Sequence, residues 1–185
     1  MSLVEITPQD GLKISLAYAT NENFVAKKIY THAICYLHEE AAALLEKARK
    51  LAHDQGYGLH IFDAFRPQEA QWALWECVPD PMYVADPRKG SAHSRGIAVD
   101  LTLYDLETGL DLDMGTPFDD LSPLSHLTPQ DLPASILTNR YKLLGIMLTA
   151  GWDFYRYEWW HYQLFNAKEY PLLSDVDAPR PLMAA

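Results

Sequence analysis

Four side chains in two short segments carry the chemistry of this chain. His93 and Asp100 lie in Ser91-Ala92-His93-Ser94-Arg95-Gly96-Ile97-Ala98-Val99-Asp100, and Glu158 and His161 lie in Glu158-Trp159-Trp160-His161. Two neutral imidazoles and one carboxylate make a three-ligand zinc site that keeps a coordination position open. The fourth group, Glu158, is then a spare carboxylate beside the metal. It suits a general base that takes a proton from water and returns it to a leaving amine. Arg66, before Pro67, is the remaining singled-out charge, and its reading is a donor to an oxyanion developing on a carbonyl.

Each of these residues also has an ordinary explanation. The chain contains seven histidines, so no single one is diagnostic. Asp100 could be a strand-edge polar residue, Glu158 a solvated charge, and Arg66 a partner for Asp63 alone. The pattern also carries a geometric condition. Positions i and i+3 of a regular strand face opposite ways, so Glu158 and His161 share a site only if the chain bends between them.

The elements that must position these residues are legible as hydrophobic periodicity. Residues 38–54 predict a helix closed by Gly56, with Ala41, Leu44, Leu45, Ala48, Leu51 and Ala52 on one side. Gly58 to Phe65 predicts a strand, and Gln68 to Cys77 a helix opened by Pro67. A proline-rich loop, Val78 to Gly90, leads to His93. Ile97 to Leu103 alternates, which places Asp100 with Ala98 and Thr102 on a small-residue face, away from Ile97, Val99, Leu101 and Leu103. Thr108-Gly109 predicts a turn and residues 110–132 an irregular stretch. Ala134 to Ala150 predicts a helix ending at Gly151, with Ile136, Leu137, Leu143, Leu144, Met147 and Leu148 inward. Trp152 to Phe165 reads as aromatic and strand-like. Without a regular strand–helix alternation, the expectation is an α+β fold with a mostly antiparallel central sheet flanked by helices.

Size and composition bound the function. A length of 185 residues fits a single domain, residues 1–185. A net charge of −10, from 25 acidic and 15 basic residues, disfavours nucleic acid and anionic membrane surfaces as partners. It leaves a small zwitterionic ligand open. No signal peptide and no membrane span is visible, so a cytoplasmic protein is expected. Cys35 and Cys77 are expected to be reduced and buried.

The segment from Ser91 to Asp100, followed by Leu101-Thr102-Leu103, resembles the first motif of the zinc D-alanyl-D-alanine dipeptidases, the VanX-like group. Glu158-Trp159-Trp160-His161 resembles their second motif. Asp63-Ala64-Phe65-Arg66-Pro67 is similar to the segment carrying their transition-state arginine. Tyr18-Ala19-Thr20-Asn21-Glu22-Asn23-Phe24 is similar to their N-terminal segment, and Met114-Gly115 through Phe118-Asp119 to another. The resemblance runs from about Leu16 to Pro171 in the family's order.

The resemblance implies one zinc ion held by His93, Asp100 and His161. It makes Glu158 the base and acid, and Arg66 the oxyanion donor. Asp119 and Tyr18 would hold the substrate ammonium, and Ser91 would help to hold its carboxylate. The implied fold is the small α+β domain shared by D,D-peptidases and the hedgehog signalling domain, and the implied reaction is hydrolysis of D-alanyl-D-alanine to two D-alanines. One departure concerns the stretch before His93, which is shorter than in the resistance-type members and leaves the cavity walls open. Three rivals remain. A D,D-carboxypeptidase or endopeptidase would use the same metal site. A non-catalytic zinc-binding domain of the hedgehog type would need neither Glu158 nor Arg66. An Fe(II) oxygenase shares the two-histidine, one-carboxylate triad.

Overall fold

The computed structural model of the chain describes residues 2–127 and 131–183. Residues 128–130, inside the stretch predicted to be irregular, lie outside the described residues, as do 1, 184 and 185. The first strand β1 (Leu3–Ile6) pairs antiparallel with β3 (Cys35–His38) in a two-stranded ribbon. The main sheet has five strands in the order β2 (Leu12–Ile14), β4 (Tyr57–Asp63), β5 (Ala98–Asp105), β7 (His161–Gln163), β6 (Asp153–Phe154). Its β2–β4 pairing is parallel and the other three are antiparallel, so the fold is α+β with a mostly antiparallel sheet, as expected.

Three α-helices complete the described residues: α1 (Glu39–His53), α2 (Gln68–Cys77) and α3 (Ala134–Ala150). The start of α1 follows from local chemistry. Its N-cap is His38, whose Nδ1 accepts from the Glu40 backbone N–H at 3.3 Å, and Glu39 and Glu40 complement the positive end of the helix dipole. Gly56 closes the connection to β4 with φ +83°, a left-handed conformation that glycine adopts without penalty. Helix α1 packs against both α3 and β4. One core joins the buried side of α1 (Ala41, Leu45, Ala48 and Ala52) to Leu59, Ile61, Val99, Leu101 and Leu103 of the sheet.

The predicted elements differ from the observed ones in instructive ways. Strands β1, β2 and β3 precede residue 39 and were not expected; each is four residues or fewer and too short for a period to register. The inward face of α3 is Arg140, Leu143, Ile146, Met147 and Ala150, whereas Leu148 is exposed. The helix is apolar on more than one side, so periodicity alone could not fix its rotation. The stretch 152–165 is not a continuous strand: β6 and β7 flank a turn. Cys35 is buried as expected, but Cys77 is exposed at the end of α2. No helix among the described residues is long and apolar enough to cross a membrane.

Candidate metal centre and active site

The sheet register assembles the site. Asp63 on β4 lies opposite Asp100 on β5, after a bulge between Ile61 and Asp63, and Asp100 lies opposite His161 on β7. Cross-strand partners share a face, so these three side chains form one row on the face opposite Val99 and Leu101. His93 reaches the row from a short 3₁₀ turn, His93–Arg95, closed by Gly96 at φ +69°. The left-handed backbone favours glycine here, and a Cβ would also force the Leu3 side chain aside, falling 2.5 Å from its Cδ2.

The bend required between Glu158 and His161 is present. After β6 the chain turns, with the Glu158 N–H donating to the Tyr155 carbonyl at 3.2 Å and the Trp159 N–H to the Ser125 carbonyl at 3.0 Å. The turn ends where β7 begins, and a Glu158 carboxylate oxygen lies 3.8 Å from His161 Nδ1.

His93, Asp100 and His161 form a cluster able to hold a metal ion. His93 Nε2 is 3.1 Å from His161 Nδ1 and 3.2 Å from Asp100 Oδ2, and His161 Nδ1 is 3.0 Å from Asp100 Oδ1. Ligand atoms at tetrahedral corners around zinc stand about 3.3–3.6 Å apart, given bonds of about 2.0–2.2 Å, so the cluster needs to open by only a few tenths of an ångström. The distal ring nitrogens are committed elsewhere. His93 Nδ1 donates to the Ala64 carbonyl at 2.7 Å, and His161 Nε2 donates to Gln163 Oε1 at 3.1 Å. With a cation bound, both imidazoles would turn their remaining lone pairs toward one point that a carboxylate also faces. Three acceptors converging without a donor fit a bound cation, and the donor set of two nitrogens and one oxygen suits zinc.

The surrounding charges are perturbed in the directions this arrangement dictates. Burial alone would raise Asp100, but His93 and His161 outweigh it and hold the carboxyl well below its ordinary range. Burial would lower His161, yet the hydrogen bond and charge of Asp100 raise it. Glu158 is pushed up to about 8, chiefly by burial. A desolvated carboxyl titrating near neutrality can both take and give a proton.

Arg66 is held from three sides. Its Nε donates to Asp63 Oδ2 at 2.8 Å, its Nη1 donates to Gln71 Oε1 at 3.0 Å, and Nη2 lies 3.5 Å from Asp100 Oδ2. Asp63 is fully buried and also accepts from the Tyr30 hydroxyl at 2.9 Å. Gln71 in turn donates to the Ala85 carbonyl at 2.7 Å, tying Arg66 to the loop before His93.

A cavity of about 640 Å³ opens over the metal cluster and is also lined by Arg66, Glu158, Tyr18, Ser91 and Asp119. Every residue singled out from the sequence therefore meets at one cavity. Tyr18 donates its hydroxyl to Asp119 Oδ1 at 3.1 Å, while Asp119 Oδ2 is buried without a hydrogen-bond partner among the described residues. Asp119 has φ +63°, a strained conformation for a non-glycine residue, and burial raises its carboxyl well above the ordinary range. An unpartnered buried carboxylate oxygen on a cavity wall is suited to a ligand cation. Ser91 Oγ accepts the His93 N–H at 3.2 Å. Sequence reasoning named Asp63 only as a bystander partner of Arg66, and missed Gln71 and Gln163. The spacing of Asp63 and Arg66 signalled the first, whereas amides carry no motif of their own.

Two imidazoles and a carboxylate converge at a cavity, beside a buried glutamate and an anchored arginine, in an arrangement suited to a hydrolytic metal centre. The chain belongs to the D-ala-D-ala dipeptidase family, whose sequence profile matches residues 3–178. It is 46% identical over 164 residues to a D-alanyl-D-alanine dipeptidase of Escherichia coli K12, covering 89% of this chain and 84% of that protein. It is 37% identical over 175 residues to a D-alanyl-D-alanine dipeptidase of Enterococcus faecium, covering 83% and 86% respectively. A third, from Streptomyces coelicolor, is 35% identical over 184 residues, covering 83% and 86%.

Proposed function

We propose that this chain is a single-domain zinc dipeptidase, spanning residues 1–185, that hydrolyses D-alanyl-D-alanine to two D-alanines. The observation that carries the reading is the convergence of three acceptor atoms at 3.0–3.2 Å beside the buried Glu158, in a chain whose relatives bear that activity's name. His93 Nε2, Asp100 and His161 Nδ1 hold one zinc ion. When bound, zinc supplies Lewis acidity toward the amide carbonyl and a nucleophile at neutral pH.

The rest of the chemistry belongs to the protein's own side chains. Glu158 takes the proton of the attacking water and delivers it to the departing amine, which needs a carboxyl raised toward neutrality. Arg66 donates to the oxygen on which negative charge develops, and Asp63 and Gln71 keep its guanidinium aimed there. The free oxygen of Asp119, with the Tyr18 hydroxyl beside it, receives the substrate ammonium. Ser91 helps to receive the carboxylate. Short zwitterions match a cavity whose charged groups stand at separate points, and no nucleic acid or membrane partner is required. The two free cysteines support a reducing compartment, consistent with the cytoplasm.

The test separates proton transfer from metal binding. Glu158→Ala should keep its zinc and lose about 10²–10⁴ in kcat, the usual contribution of a proton carrier. His161→Ala should lose both zinc and turnover. Near-normal turnover in Glu158→Ala would reassign the base.

A further inference from the structure

We propose that Gln163 is the positioning residue that selects the metal-binding tautomer of His161; the inference rests on the metallopeptidase reading above. His161 and Gln163 lie two residues apart on β7, so their side chains share a face of the strand. The Gln163 backbone is fixed on both sides, opposite Ala98 of β5 and Asp153 of β6. From there its Oε1 reaches His161 Nε2 at 3.1 Å.

A neutral imidazole carries one N–H. Because Gln163 accepts the proton at Nε2, the Nδ1 lone pair is left pointing at the point shared by Asp100 Oδ1, 3.0 Å away, and His93 Nε2, 3.1 Å away. The opposite tautomer would place a proton where the cation must sit and would leave the Gln163 oxygen facing a lone pair. His93 has its tautomer set by the backbone carbonyl of Ala64, which no substitution removes. Gln163 is therefore the one side chain, among the described residues, that hydrogen-bonds to the distal nitrogen of a ligand histidine. Among the described residues its amide nitrogen has no hydrogen-bond partner that would compete with this role, and the residue lines the cavity within reach of solvent. Such outer partners typically change metal affinity by about 10–100-fold.

The experiment is a zinc-affinity measurement by competition with a chromophoric chelator, on the full chain and on Gln163→Met, Gln163→Leu, Gln163→Glu and His161→Ala. Folding of each metal-free variant is checked by circular dichroism. Gln163→Met and Gln163→Leu are expected to bind zinc about 10–100-fold more weakly. Gln163→Glu, which keeps an acceptor at the same reach, is expected to hold affinity near that of the parent chain. Imidazole ¹⁵N spectra of the metal-free Met variant should show His161 shifting from the Nε2–H form toward a mixture. Parent-like affinity in both the Met and the Leu variants, with His161→Ala still losing zinc, would overturn the role of Gln163 and leave the metal site intact. Equal losses in the Met and Glu variants would also overturn it, because the acceptor would then not matter. Parent-like affinity in His161→Ala would overturn the metal centre itself.

Discussion

Asp63→Ala is the substitution whose cost the structure sets most tightly. Asp63 is wholly buried, and its two oxygens hold the Arg66 guanidinium at 2.8 Å and the Tyr30 hydroxyl at 2.9 Å. Removing one partner of a buried ion pair costs about 3–5 kcal/mol, because a charge is left without compensation. Arg66 keeps Gln71 and lies 3.5 Å from Asp100, so the lower end of that range applies. The orphaned Tyr30 hydroxyl adds about 1–3 kcal/mol. A total of about 4–6 kcal/mol corresponds to roughly 8–24 °C in Tm for a domain of this size. The assay is thermal denaturation of metal-free protein in a double-mutant cycle with Arg66→Met. The double variant should recover at least about 2 kcal/mol of the summed losses, since neither member of the ion pair is then left buried without its partner. A single-variant cost below about 1 kcal/mol, or strict additivity in the cycle, would refute the claim that Asp63 exists to hold Arg66.

Arg66→Ala should lower kcat by about 10²–10³ with a small change in KM, because an oxyanion donor acts on charge that develops only in the transition state. A rise in KM at unchanged kcat, measured in steady state, would make Arg66 a ground-state anchor instead. In the metal-free protein the Glu158 carboxyl titrates at about 8, against about 4.3 when unfolded. The folded state therefore binds more protons across that window. The stability this group contributes is full below the unfolded value and is lost as pH rises through about 8. Glu158→Gln removes that dependence, so the stability of the parent chain relative to the variant should fall between pH 5 and 9; a pH-independent difference in denaturant midpoints would contradict it.

Much of this centre was legible from sequence because two of its three candidate ligands, Asp100 and His161, sit on strands. The alternation around Asp100 placed it on the small-residue face, and register then brought His161 opposite to it. The i, i+3 spacing of Glu158 and His161 correctly demanded a bend, but only the structure shows how the Tyr155 and Ser125 carbonyls make it. The resemblance to the family, not periodicity, pointed to Tyr18, Ser91 and Asp119, which come from three separate loops. What stayed hidden were contacts between distant segments. The pairing of β2 with β4 joins residues too few to carry a pattern. The amides of Gln71 and Gln163 act through one or two hydrogen bonds each, which leave no periodic trace. The rotation of α3 was misjudged at Leu148, because a helix with several apolar sides does not say which one is inside.

The most direct test of the central claim is hydrolysis by zinc-loaded protein of D-Ala-D-Ala, L-Ala-D-Ala and N-acetyl-D-Ala-D-Ala, followed by release of free alanine. The buried oxygen of Asp119 suits a ligand cation, and a neutral amide in its place forfeits that ion pair, because the desolvated carboxyl then takes up a proton instead of carrying a charge. An L-residue at the first position misplaces the carbonyl relative to the attacking water. The account predicts efficient turnover of D-Ala-D-Ala, weak turnover of L-Ala-D-Ala and almost none of the acetylated peptide. Efficient release of D-alanine from the acetylated peptide would contradict it and favour a carboxypeptidase at the same metal centre.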